Sequence, residues 1–156
     1  MEKNRLAVLQ ADIREQANLI DEVYYQITAR KKNYTKNKQA LESLGYQLHN
    51  LYCAFEDLFR IVADHFENHI TEPRGWHTEL LTRMKTPING IRPALISSST
   101  FELLDELLRF RHVFRHAYGI KLDPQKVKIV LQKALALKKI YKRDLNRFLA
   151  RLKNRR

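Results

Sequence analysis

The sequence predicts an all-α protein, an up-and-down bundle of about four long helices with one short helix between the second and third. Three observations carry this. Apolar residues recur every three or four positions over long stretches, which is the helical period. Turn residues are few, with Gly 4 and Pro 4 in 156 residues, and most fall between those stretches. No segment alternates apolar and polar residues between turn signals, as a half-buried strand would.

The first helix spans Glu2 to about Ala29, with Leu6, Leu9, Ile13, Ala17, Ile20, Tyr24 and Ile27 on one face. The basic run Arg30-Lys31-Lys32, with Asn33, Tyr34 and Asn37, breaks it. A second long helix runs from about Lys36 to Asn68, its core stripe made by Leu44, Leu48, Leu51, Phe55, Leu58 and Val62. Gly45 weakens that helix by about 1 kcal/mol relative to alanine. Pro73 and Gly75 end the segment, and Trp76 to Lys85 forms the short helix, stopped by Thr86-Pro87. Asn89-Gly90, Pro93 and Ser97-Ser98-Ser99 make a loop. Ser99 with Glu102 fits a capping box, in which the hydroxyl takes a backbone N–H and the carboxylate reaches back. The third long helix therefore starts near Thr100 and runs to about Tyr118, with Gly119 placed as a left-handed C-cap. Asp123 as N-cap and Pro124 in the first turn open the fourth long helix. It carries Val127, Val130, Leu131, Ala134, Leu137, Tyr141, Leu145 and Phe148. Nothing divides the chain, so residues 1–156 read as one domain with a basic C-terminal helix over about 124–154.

Composition narrows the function. A hydrophobic share of 44% supports a packed core and excludes wholesale disorder. The formal net charge is +12, and thirteen of the 29 Lys and Arg lie in residues 121–156 against two of the 17 acids, Asp123 and Asp144. The first 120 residues are nearly neutral. A positive field concentrated in one helix favours a polyanionic partner, either nucleic acid or an acidic surface. The segment Lys138-Lys139-Ile140-Tyr141-Lys142-Arg143 interleaves an aromatic ring with bases, which suits phosphate contact with some base stacking. The single cysteine, Cys53, sits in an apolar run and reads as a small buried hydrophobe. His65 and His69 have i,i+4 spacing, but no third ligand is well spaced near them and no metal site is expected. The N-terminal stretch lacks the apolar region of a signal peptide, and no run approaches the ~20 apolar residues that span a membrane. The expected compartment is the cytoplasm, with no membrane partner and no cofactor. The sequence contains none of GxxxxGK[ST], GxGxxG, HExxH and GxSxG, so the nucleotide, zinc-protease and hydrolase readings those motifs carry lack support.

The informative stretch is Leu107 to Gly119, LLRFRHVFRHAYG, with three arginines, two histidines and a tyrosine on a bundle helix. At 100° per residue and with Leu107 at zero, Leu103, Phe110, Phe114 and Ala117 fall between about 280° and 340° and mark the core face. Arg111 near about 40° and Tyr118 near about 20° flank that face, Leu104 and Leu108 extend the apolar surface on the same flank, and His116 projects near about 180°. An arginine on the flank must be paired or must face a second surface. On a straight helix Arg111 and His116 do not converge. Unwinding before Gly119, side chains reaching round the helix end, or a site built between two subunits would each resolve this. In the last turn the helix dipole favours imidazolium, which suits His116 as a general acid.

Arg111, four intervening residues, His116, Ala117 and Tyr118 resemble the R-x4-H-x-Y form of the HEPN ribonuclease motif found in HepT toxins of HepT–MntA toxin–antitoxin systems. The helical order, the run Leu51 to Phe59 and the phrase FRHVFRHAYG are similar to that group across most of the chain. The resemblance implies a HEPN-like bundle and a metal-independent endoribonuclease. It also implies a homodimer in which the two motifs meet across the axis. Arg111 would hold the phosphate and His116 would relay the proton for attack by the ribose 2′-OH. It further implies an MntA-like nucleotidyltransferase antitoxin that blocks the site by transferring AMP to Tyr118. Arg109, His112 and Arg115 depart from the bare motif and are candidates for RNA binding or for sharing the catalytic role. Glu56, on the edge of the second helix's apolar face, is a candidate supporting residue paired with an arginine of the third long helix. Lys138, Lys139, Lys142 and Arg143 are candidates for RNA binding. Two other readings use the same features: a non-catalytic HEPN module that partners a nucleotidyltransferase, and a basic helical nucleic-acid-binding protein.

Overall fold

The structure, a computed structural model, describes residues 3–67, 75–116 and 121–154. Five helices account for its regular structure there: α1 (Lys3–Arg30), α2 (Lys38–Phe66), α3 (Trp76–Lys85), α4 (Ser98–Arg115) and α5 (Pro124–Lys153). Among the described residues the only strand-like pairing is an isolated antiparallel bridge between Ile88 and Arg92. Its turn places Gly90 at φ 79, a left-handed conformation natural to glycine. The four long helices and the short one match the expected bundle.

Helix α2 is the hub, packing against α1, α3, α4 and α5. Its stripe Leu44, Leu48, Leu51, Phe55, Leu58 and Val62 is buried, as is the predicted stripe of α5. On α1 all the predicted positions are buried except Ala17, which is half-buried, and Gln16 joins them. The Gln16 amide meets its burial by donating to the Ala54 carbonyl of α2 at 2.8 Å. Tyr24 and Tyr141 stack with centroids 6.1 Å apart and close the α1–α5 contact. Tyr24 donates to the Ala134 carbonyl, and Tyr141 donates to Asp21 at 2.8 Å.

Helix starts follow their caps. Asn37 accepts from the Ala40 N–H and opens α2. Asp123 accepts from the Gln125 N–H, with Pro124 behind it, as the sequence indicates. The third long helix, α4, starts earlier than expected: Ser97, not Ser99, is its N-cap and accepts from the Thr100 N–H. The choice among the serines is made by α5. Buried Asp144 accepts from the Ser97 N–H and hydroxyl and from the Thr100 hydroxyl, which pins that end of α4. Helix α4 ends at Arg115 with His116 as C-cap, short of the expected Tyr118. Gly119 and Tyr118 lie outside the described residues.

A buried ion pair ties α2 to the segment after α3. Arg92 is fully buried and meets Glu67 at 2.9 Å. Its guanidinium also donates to the carbonyls of Arg83, Thr86 and Pro93. This arginine carried no periodic signal in the sequence. No described helix is long and apolar enough to cross a membrane.

Candidate functional site

Helix α4 presents a different face to the core than its apolar pattern indicated. The buried positions are Thr100, Leu104, Leu107, Leu108 and Phe110, whereas Leu103 and Phe114 are half-buried. On the same wheel these buried residues centre near about 20°, so Arg111 at about 40° lies within the buried face and not beside it. Arg111 accordingly points into the seam between α4 and α2, half-buried, with its Nε shut off from solvent and without a hydrogen-bond partner.

The facing stripe of α2 is His49, Tyr52, Cys53 and Glu56, spaced as neighbours on one helix surface. Gly45, one turn earlier, lets the helices close. A Cβ there would come within 3.1 Å of the Phe114 ring and of Leu122, which answers why a helix-weakening residue stands at that position. The His49 ring packs on Phe114 with centroids 5.5 Å apart, and its Nε2 lies 3.9 Å from the Cys53 sulfur. Burial pushes the His49 proton affinity below the ordinary imidazole range, a hydrogen bond to Asn50 opposes this, and the positive charges of Arg111 and Arg115 add to the lowering. Tyr52 is fully buried and its hydroxyl has no partner. Burial and the Glu56 carboxylate drive that hydroxyl well above the usual phenol range, with Arg111 acting in the opposite sense. Cys53 is half-buried, more open than the buried hydrophobe expected.

His116, the C-cap of α4, is exposed. Its ring lies 4.7 Å from that of His112, also exposed, tilted by 57° to it. Within one chain Arg111 lies close enough to His49 for its charge to act on that ring, and no contact between Arg111 and His116 occurs among the described residues. Arg109 is exposed and paired with Asp105 at 3.0 Å, and Arg115 is exposed on the His49 side of α4. Glu56 is buried, but its carboxylate is hydrogen-bonded to His77 Nδ1 of α3 at 2.7 Å and not to an arginine of α4. Trp76 packs against His77 with ring centroids 3.8 Å apart and lies under the Arg60 guanidinium. His65 packs edge-on against Phe66. No metal-binding group of three or more His, Cys, Asp or Glu occurs among the described residues, and His69 is outside them.

The basic helix differs from expectation in one respect. Tyr141 is buried and bonded to Asp21, so it is not open to a nucleobase. Lys142 pairs with the same Asp21 at 3.0 Å, and the Lys138 ammonium sits 5.7 Å from the Tyr24 ring centroid. Lys139 and Arg143 are exposed. The positive surface is therefore made of solvated cations, without the predicted aromatic platform.

A protein-family profile described as HepT-like protein matches residues 43–152 of this sequence. The chain belongs to the HepT-like family. The matched span runs from early α2 through most of α5 and includes both walls of the Arg111 seam. No curated protein and no solved structure matches the chain.

Proposed function

We propose that this HepT-like protein is the toxin of a HepT–MntA-type toxin–antitoxin pair, a metal-independent endoribonuclease acting in the cytoplasm as a homodimer. The observation that carries this reading is the state of Arg111. Its guanidinium is brought to the α2–α4 seam and given no anionic partner among the described residues, although a half-buried cation calls for one. A backbone phosphate of RNA supplies that anion, and the planar fork can hold two of its oxygens as charge develops on them. His116 is the proton-relaying group. Its divergence from Arg111 within one chain favours a site completed by a second copy. His112 and Arg115 extend the motif surface, and the solvated cations of α5 supply non-specific affinity for RNA. Tyr118, two residues after His116, is the acceptor for AMP from the nucleotidyltransferase antitoxin; the adduct's phosphate would compete for Arg111.

The decisive measurement is cleavage of bulk transfer RNA and of single-stranded RNA by the purified protein, with EDTA present. Wild type should cut, and Arg111→Ala and His116→Ala should fold and fail to cut. Undiminished cleavage by both variants would sink the assignment. Absence of cleavage by wild type, with a nucleotidyltransferase still bound, would favour the non-catalytic module. Mass measurement after treatment with the partner and ATP should show added AMP that Tyr118→Phe does not take up.

A further inference from the structure

We propose that His49 of α2 is the proton acceptor of this site, removing the ribose 2′-OH proton beside Arg111, while His116 donates to the leaving oxygen. The inference rests on the ribonuclease reading and assigns a residue outside the R-x4-H-x-Y motif.

The seam offers one suitable base. Around Arg111, α2 contributes His49, Tyr52, Cys53 and Glu56. Tyr52 is fully buried and cannot meet substrate. The Glu56 carboxylate is taken by His77. Cys53 leans on the His49 ring. His49 alone of these combines a basic nitrogen with partial exposure and a place beside the guanidinium. The groups facing it are Arg111 and Arg115 from α4 and Asn50 and Cys53 on its own helix. Burial first, and then the charges of Arg111 and Arg115, lower the ring's proton affinity against the Asn50 hydrogen bond and so favour the neutral form a proton acceptor needs. Tyr46, exposed, lies nearly parallel to the imidazole at 6.4 Å and extends an aromatic surface outward from it. That surface suits the sugar and base carrying the 2′-OH.

The step balances. The 2′-OH proton passes to His49, the 2′-oxygen bonds to phosphorus, the bond from phosphorus to the 5′-oxygen breaks, and His116 protonates that oxygen. The products are a 2′,3′-cyclic phosphate and a 5′-hydroxyl end, and proton exchange with water resets both imidazoles. No oxidant or reductant enters.

Two substrates separate the roles: a single-stranded RNA oligonucleotide, and uridine 3′-(4-nitrophenyl phosphate), whose phenolate leaves without a proton. His49→Gln should lower kcat/KM by about 10²- to 10⁴-fold on both. His116→Ala should be crippled on RNA and largely recovered on the nitrophenyl ester. The wild-type rate should fall as pH drops below the ordinary imidazole value of 6.5, and that limb should be missing from the residual activity of His49→Gln. Thermal melts identify a misfolded variant, and His49→Asn then takes its place. His49 variants that keep at least half the wild-type rate on RNA, or that recover on the nitrophenyl ester, overturn the assignment while leaving the ribonuclease reading intact. A wild type that cuts neither substrate overturns both.

Discussion

Two arginines sit at the seams of α2, and the protein treats them in opposite ways. Arg92 is 0% exposed and saturated: it meets Glu67 at 2.9 Å and gives its remaining terminal N–H groups to three carbonyls, leaving only Nε unpaired. Arg83 closes on the same carboxylate at 3.4 Å. Arg111 is half-buried, its Nε is dry, and among the described residues it makes no hydrogen bond or ion pair. A buried charge whose terminal nitrogens are all paired is part of the scaffold. A half-buried charge left unpaired costs stability, and the ribonuclease proposed above gives it a phosphate as partner. Burial alone does not separate structural from functional arginines; whether the guanidinium is already partnered does.

The largest effect should come from breaking the saturated one. Arg92→Ala strands the Glu67 carboxylate, which is 3% exposed, and should lower unfolding free energy by about 3–5 kcal/mol. Urea denaturation followed by circular dichroism measures it. A loss under about 1 kcal/mol would mean that Arg83 or water compensates fully and that the two arginines differ less than their partners indicate.

The reciprocal experiment replaces Arg111 by a side chain of similar bulk without charge. Arg111→Met should be neutral to about 2 kcal/mol more stable, since it removes an unmade hydrogen-bond demand, and should lose about 10²–10³-fold in RNA cleavage. A variant that is both inactive and several kcal/mol less stable would place Arg111 with Arg92 as scaffold.

A third comparison sets Arg111 against the cations of α5. Lys139→Glu with Arg143→Glu should weaken RNA binding and flatten its dependence on salt by about 0.7 logarithmic units for each phosphate no longer neutralised. Cleavage at saturating RNA should be nearly unchanged. Titration at several salt concentrations, alongside kcat, separates positioning from chemistry. An unaltered salt slope would remove this face of α5 from the RNA interface.

The bundle was legible because its evidence is local. Periodic leucines on α1, α2 and α5 and the Asp123-Pro124 start need only neighbouring residues to be read. The site was legible only as a motif. The wheel for α4 weighted Leu103, Phe114 and Ala117, but packing by α2 and α5 turned the helix toward Leu104 and Leu108 and carried Arg111 inward. Three successive serines all fit an N-cap, and distant Asp144 decided for Ser97. Glu56 found a histidine of the short helix that no spacing rule connects to it. Tyr141 looked like a stacking ring because its partner Asp21 lies at the far end of the chain. His49 had no local signal at all; its position on the flank of α2 acquires meaning only when α4 is laid across it.

The smallest expected effect tests whether the Arg111 seam imposes its field on His49 in the free protein, without any substrate. Folding lowers the proton affinity of His49 below 6.5, and the same holds for His65 through burial and Arg5. In the unfolded chain both rings take a proton as pH falls through 6.5, while in the folded chain they resist it. The unfolded state then binds more protons, so stability should be full above that pH and decline as pH drops toward the folded values. His49→Gln should remove part of that decline, and His65→Gln another part. Arg111→Met should weaken the His49 share alone, because it leaves burial in place and takes away one of the two cations. Urea melts across pH 5 to pH 8 for the wild type and these three variants measure each share. A decline that His49→Gln leaves untouched would show that the ring gains or keeps its proton freely beside Arg111, and that the guanidinium is directed elsewhere.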